Sequence, residues 1–307
     1  MKELKVIFMG TPDFACPVLK WLIDNTNVVL VVTKADKEVG RNHVLSYSPV
    51  KQLALENNID VFQPIKIRDD FEIISEINPD IIITCAYGQI IPKAILDIPK
   101  LGCINVHASL LPKYRGAAPI QWALINGDEK TGVTLMYMDE HMDTGDIIDT
   151  KEYIIETDDN VGTLHEKLSL LGVDLLKETL PKIINKTNNR IKQDEKLATY
   201  APMIKREDEL INFNNNGKDI INKIRAFNPW PLTYFKIDNQ EIKIIKASFE
   251  KKNNSSVGKI NYSKKLMGIE CKDGIIFLEV IKPFGKKAMN ISDFLNGFDK
   301  KKEYIDD

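Results

Sequence analysis

Leu4-Lys5-Val6-Ile7-Phe8-Met9, followed at once by Gly10-Thr11-Pro12-Asp13-Phe14, reads as a strand that turns into a helix. The pattern then repeats. Apolar runs at Val28–Thr33, Asp60–Gln63, Ile81–Ala86, Cys103–His107 and Val133–Met138 read as further strands, and segments of helical period near 13–24, 49–57, 69–77 and 117–126 fall between most of them. Alternating strands and helices predict an α/β fold with a mostly parallel sheet covered by helices, whose ligands bind outside the carboxyl ends of the strands. The first turn lacks G-x-G-x-x-G. Thr11-Pro12 instead predicts a helix N-cap with proline at the first helical position, so a dinucleotide cofactor is disfavoured.

The rest of the chain divides by pattern. Val161 to Ile184 carries Leu164, Leu168, Leu171, Leu175 and Ile183 at near-helical spacing and predicts a long helix packed on the sheet. Residues 190–208 are polar with little periodicity and read as a linker. A short helix near 218–227 and five β-like runs between 233 and 280 follow, which suggests a small barrel. The expected division is 1–189, a linker at 190–208, and 209–307. With 307 residues, two domains can each bury a core.

Composition excludes several classes. No apolar run nears the roughly 18 residues needed to cross a bilayer, and strand character begins by residue 4, so neither a membrane span nor a secretory signal is expected. Cys16, Cys85, Cys103 and Cys271 show no C-x-x-C spacing and read as reduced residues of a cytoplasmic protein. His43, His107, His141 and His165 are too far apart for a metal site, so no metal is expected. Net charge is −2, yet residues 251–302 carry 12 basic against 5 acidic side chains, including Lys264-Lys265 and Lys286-Lys287. That window suits either a polyanion surface or a solvated sheet.

Chemistry concentrates in Asn105-Val106-His107-Ala108-Ser109-Leu110-Leu111-Pro112 and, after the next strand, Asp139 to Asp146. In an extended strand Asn105 and His107 project from one face near its carboxyl end, where a buried polar pair without partners costs about 1–3 kcal/mol. A carboxamide, an imidazole and a carboxylate suit acyl transfer to an amine. Asn105 and His107 can donate to the oxygen that turns negative in a tetrahedral intermediate, and Asp143 can orient and charge the imidazole and help receive the amine's proton. No G-x-S-x-G elbow or Cys-His signature is evident, so direct transfer between two bound substrates fits better than a covalent route.

These residues resemble the folate-dependent formyltransferases, most closely the branch acting on methionyl initiator tRNA. The resemblance runs through Phe8 to Ala15, Ala86-Tyr87-Gly88, Asn105 to Pro112, Arg115 to Gln121, Asp143 to Asp146, Ala201 to Lys205 and Ile224 to Pro231. It implies a Rossmann-like catalytic domain followed by an OB-like barrel that helps hold tRNA. It also implies 10-formyltetrahydrofolate as donor, Asn105, His107 and Asp143 as catalytic residues, and Ser109, Leu110, Leu111, Pro112, Tyr87 and Gly88 against the folate. Transfer to methionyl initiator tRNA for translation initiation is the leading expectation, by a monomer; an aminosugar nucleotide is the alternative acceptor. Hydrolysis of the donor and a non-catalytic RNA-binding role are the other competing readings.

Arg41, Lys205, Lys264, Lys265, Lys286 and Lys287 are the expected tRNA contacts. The loop at 34–51 keeps Arg41 but continues with Asn42-His43-Val44 instead of the family's more basic run, which weakens its expected phosphate attraction. His141 replaces a usual glycine and is expected to be exposed. Arg115 is expected in the site, with a structural carboxylate as its other possible partner. The Asn228-Pro229-Trp230-Pro231 turn is expected to pack the barrel against the preceding helix.

Overall fold

The computed structural model describes residues 1–39, 44–253, 256–298 and 302–306. In chain order its elements are β1 (Lys5–Gly10), α1 (Cys16–Asn25), β2 (Asn27–Val32), a small hairpin of β3 (Lys37–Val39) and β4 (Val44–Ser46), α2 (Pro49–Glu56), β5 (Val61–Phe62), α3 (Glu72–Ile77) and β6 (Ile81–Cys85). Next come α4 (Lys93–Leu96), β7 (Cys103–His107), β8 (Arg115–Gly116), α5 (Pro119–Ile125), β9 (Lys130–Tyr137), β10 (Ile147–Ile154), α6 (Val161–Ile184) and β11 (Tyr200–Ala201). The remainder is α7 (Gly217–Ala226), β12 (Thr233–Ile237), β13 (Gln240–Lys251), β14 (Ile260–Tyr262), β15 (Met267–Cys271), β16 (Gly274–Pro283), β17 (Met289–Asn290) and α8 (Ile291–Leu295).

The chain forms two compact units. The first takes Met1–Pro119, Lys130–Ile154 and His165–Pro202; the second takes Ile120–Glu129, Ile155–Leu164 and Met203–Asp307.

In the first unit a seven-stranded sheet runs β10-β9-β7-β6-β1-β2-β5. Pairs from β5 through β7 are parallel, while β7-β9 and β9-β10 are antiparallel. The centre of the sheet is apolar on both faces because both are covered: β6 is buried along its whole length, and β1 everywhere except Lys5. Each fully buried Val, Ile or Phe there contributes about 1.5–3 kcal/mol. Edge strand β10, which the apolar runs do not announce, alternates half-buried and exposed positions after Ile148. Strand order reverses beside β1, and across that point Thr11 Oγ1 donates to the Tyr87 carbonyl at 3.1 Å. Thr11 therefore does not cap a helix as expected: a 3-10 turn at Asp13–Ala15 intervenes, and α1 starts at Cys16 with Pro17 in its first turn. At α2, Ser48 does cap, accepting from Lys51 N at 3.1 Å with Pro49 next.

In the second unit a curled antiparallel sheet runs β12-β13-β16-β15-β14, with β17 paired to β16. Ile220 and Ile224 of α7 join Phe235, Ile244, Ile269, Ile276 and Leu278 in its core. At the Asn228–Pro231 turn, Asn228 Nδ2 donates to Ile245 O of β13 at 2.8 Å and ties the turn to the sheet, while Trp230 is 79% exposed. Its neighbours Pro229 and Pro231 donate no hydrogen bonds and set the backbone, so the turn is held without burying the indole.

No helix among the described residues is long and apolar enough to cross a membrane. The four cysteines are free; burial is the first cause of a raised thiol pKa at each, which disfavours the reactive thiolate.

Candidate active site

β7 supplies Asn105 and His107 two residues apart, so both side chains leave one face of the sheet. Asn105 is half-buried and His107 is buried. Beside them on β6, Thr84 pairs in register with Asn105, and its Oγ1 lies 2.8 Å from Asn105 Oδ1. A hydroxyl donating to the amide oxygen fixes the flip of the carboxamide, and Nδ2 then faces Asp143 Oδ1 at 3.5 Å.

His107 is oriented from the other side. Its Nε2 lies 2.9 Å from the Tyr114 carbonyl, which can only accept, so this nitrogen is assigned the proton. Nδ1 faces Asp143 Oδ2 at 3.7 Å. Both separations from Asp143 exceed the roughly 2.9 Å of a tight hydrogen bond, and the three groups surround one point without saturating one another. With Nε2 taken by the Tyr114 carbonyl, Nδ1 is the ring nitrogen left to face the point shared with Asp143 and Asn105.

Asp143 reaches this point by an unexpected route. Because β9 is antiparallel to β7, its last residues lie beside the start of β7, with Ile104 opposite Tyr137 and Met138 N donating to Cys103 O at 2.8 Å. The loop from Met138 must then fold back along β7 to meet Asn105 and His107. Gly145 permits this: a Cβ there would lie 1.8 Å from the Tyr137 carbonyl oxygen, so no other residue fits so close to β9. At the top of the loop Asp143 adopts a left-handed backbone with φ +56°. Its Oδ2 accepts from Gly116 N at 2.8 Å. His141 is exposed, as expected, with its N–H donating to Asp139 Oδ1 at 3.0 Å.

The Ser109–Pro112 loop follows β7 and bends over Thr134 of β9. Thr134 Oγ1 lies 2.7 Å from Ser109 O and 3.1 Å from Leu111 N, while Ser109 donates its own hydroxyl to Lys113 O at 2.6 Å. Ser109 and Leu111 are buried; Leu110 and Pro112 are half-buried. Tyr87 and Gly88 follow β6. The Tyr87 ring belongs to an apolar cluster with Ile91, Ile95 and Cys103, against which Leu96 and Met138 pack. Its hydroxyl is buried with no hydrogen-bond partner among the described residues, and burial raises its pKa.

Arg115 turns away from the site. It is 1% exposed and pairs with Gln193 and with the carboxylate of Glu195, whose pKa it lowers. The structural carboxylate, not a substrate, is its partner. Tyr114, Gly116 and Gln193 carry no mark in the sequence that singles them out as site residues; Thr84 does, as a polar residue breaking the apolar run Ile81-Ile82-Ile83.

The expected tRNA contacts lie apart from these groups in sequence. Lys264 and Lys265 occupy the turn before β15, Lys286 and Lys287 the turn before β17, all exposed and with no ion-pair partner among the described residues. Lys205 is exposed with its Nζ 3.5 Å from Glu207. Arg41 lies outside the described residues. No group of three or more His, Cys, Asp or Glu that could hold a metal occurs among the described residues.

Known proteins share this fold and much of this sequence. Among solved structures, a sugar 3N-formyl transferase solved with dTDP and 5-N-formyl-THF superposes with a TM-score of 0.68 at 24% identity, covering 94% of this chain and all of that one. An N-formyltransferase from Helicobacter canadensis, solved with folinic acid and dTDP-3-aminofucose, gives 0.64 at 24% identity, covering 91% and 98%. These share the fold. Curated relatives include methionyl-tRNA formyltransferases from Staphylococcus epidermidis, 46% identical over 95% of this chain and 96% of that protein, and from Macrococcus caseolyticus, 44% identical over 95% of each. Residues 4–180 match the formyl transferase family and residues 203–299 the formyl transferase C-terminal domain. With both parts matched and relatives this similar along nearly its whole length, the chain belongs to the formyl transferase family.

Proposed function

We propose that this enzyme transfers the formyl group of 10-formyltetrahydrofolate to the amino group of methionyl initiator tRNA, by direct attack of the amine. The observation that carries the reading is the meeting of Asn105, His107 and Asp143 around one point, in a chain 46% identical to a methionyl-tRNA formyltransferase.

The residues present fit a folate. A buried phenol without a partner is costly, by about 1–3 kcal/mol, unless something satisfies it. The polar edge of a bound pterin would satisfy Tyr87 Oη, which no group among the described residues does. Gly88 and the Ser109–Pro112 loop border the same donor. Formyl-folate supplies an acyl carbon already bonded to nitrogen, and the chain's residues do the rest. Asn105 Nδ2 donates to the formyl oxygen as it gains negative charge, an interaction worth about 3–4 kcal/mol in comparable sites. His107 offers a second donor through Nδ1 whenever that nitrogen carries a proton. The Asp143 carboxylate faces that nitrogen and helps take the proton the amine loses, directly or through water; as the new C–N bond forms, the bond from the formyl carbon to the donor nitrogen breaks, and that nitrogen takes up the proton and leaves as tetrahydrofolate. Holding amine and formyl carbon in contact supplies much of the remaining acceleration.

In this reading residues 1–189 carry the groups that touch substrate, 190–208 connect the two domains while contacting the Asp143 loop and β8, and 209–307 hold tRNA. Lys264, Lys265, Lys286 and Lys287, together with Lys205 and Arg41, attract phosphates in a sequence-independent way. The test is a parallel acceptor assay with purified enzyme and formyl-folate. Charged methionyl-tRNA should yield formylmethionyl-tRNA and uncharged tRNA should yield nothing. Turnover on an aminosugar nucleotide with none on methionyl-tRNA overturns the assignment.

A further inference from the structure

Asp143 sits in the left-handed region at φ +56°, which aspartate tolerates better than most residues with a Cβ but which its contacts must still hold in place. The surroundings are specific. Gln193 Nε2 donates to both Asp143 O and Gly145 O, each at 2.8 Å, and so grips the loop on either side of Thr144. The carboxamide can face only this way, because its Oε1 accepts from Arg115 Nε at 3.1 Å and Nη2 at 2.8 Å, and a guanidinium has nothing but donors. Arg115 in turn is pinned by a two-point contact with Glu195, Nη1 to Oε2 at 2.9 Å and Nη2 to Oε1 at 2.8 Å. The residue after Arg115 is Gly116, whose N–H holds the Asp143 carboxylate. One two-residue strand thus fixes Asp143 at both ends, the side chain through Gly116 and the main chain through Arg115 and Gln193.

We propose that Arg115 and Gln193 are positioning residues for the transfer reaction, setting the Asp143 carboxylate against His107 and Asn105. This rests on the reading that Asp143 acts in the transfer. Without the clamp Asp143 relaxes out of the left-handed region, and its carboxylate leaves the point the other two groups face. A displacement of about 1 Å in such a constellation costs on the order of a hundredfold in rate.

The test is Gln193→Glu, which keeps an oxygen for Arg115 but replaces the amide nitrogen that grips the loop with a second oxygen. Rates are normalised to the fraction of protein that binds formyl-folate, and Arg115→Lys serves as the second variant. The expected result for each is a fall in kcat of roughly ten- to a hundredfold with KM for formyl-folate within about threefold. Added to Asp143→Asn, Gln193→Glu should cost less than about threefold more, because its effect passes through the carboxylate already removed. Asp143→Asn at the full rate would remove the reading of the site itself. A slow Asp143→Asn beside a Gln193→Glu that keeps wild-type kcat, or that multiplies the loss in the double variant by its full factor, overturns the clamp alone.

Discussion

His107 presents Nδ1 to Asp143 Oδ2 at 3.7 Å while the Tyr114 carbonyl occupies its Nε2 at 2.9 Å. The carbonyl removes the ambiguity of the ring: Nε2 is assigned the proton, and Nδ1 is the nitrogen left facing the carboxylate.

Gly116 couples this geometry to the backbone. At φ +122°, with a built Cβ only 2.7 Å from Ala201 O, Gly116→Ala must distort β8. The variant should lose about 2 kcal/mol of stability in urea titrations, from strain and clash together. Its kcat should fall as well, since the N–H that holds Asp143 moves. A variant with unchanged melting and unchanged rate would show that β8 does not depend on this conformation.

Thr84→Val is nearly isosteric but removes the hydroxyl 2.8 Å from Asn105 Oδ1. The carboxamide is then free to turn, and kcat should drop about tenfold, with thermal stability reduced by about 1 kcal/mol. Steady-state kinetics beside a melting curve check this. Unaltered kcat would mean that Asn105 is oriented by something other than Thr84.

The contrast between β7 and the Asp143 loop explains what the sequence could and could not reveal. Period-two spacing alone puts Asn105 and His107 on one face, and the continuous apolar runs of β1 and β6 announce buried central strands. The direction of β9 was not legible, because an apolar strand reads the same whether its neighbour is parallel or antiparallel. The return of Asp143 along β7 therefore emerges only in three dimensions. Arg115 escapes a sequence reading for a related reason: its partners Gln193 and Glu195 lie about 80 residues away, in a polar stretch whose lack of periodicity looks like a linker. Trp230 stays in solvent while the Asn228 side chain holds its turn to Ile245 O.

Glu270 on β15 makes the second unit sensitive to acid. Burial would raise its pKa, but hydrogen bonds from Lys252 at 2.8 Å, Ser256 N at 2.5 Å and Asn261 at 3.0 Å outweigh it and hold the carboxyl at about 2, below its ordinary value of 4.5. A depressed folded value contributes stability that is present above about pH 4.5 and lost as pH falls toward 2. Glu270→Gln should lower stability by about 2 kcal/mol at pH 7 and by little near pH 2.5. Denaturant melts across that range check it; equal losses at both pH values contradict it.

Neutralising Lys264, Lys265, Lys286 and Lys287 should weaken tRNA binding and flatten its dependence on salt, by up to about 0.7–0.9 in log–log slope for each phosphate that no longer meets a lysine. Affinity for formyl-folate should not change. Filter binding at several salt concentrations is sufficient, and an unaltered slope would leave the four as ordinary solvated lysines.

The most direct measurement is single-turnover formyl transfer to methionyl-tRNA with both substrates saturating, in the wild-type enzyme and in Asn105→Ala and His107→Ala. Each variant should remain folded and lose at least about a hundredfold in the transfer step, as removal of one donor to a developing oxyanion does. Transfer at the wild-type rate in either variant would contradict the account.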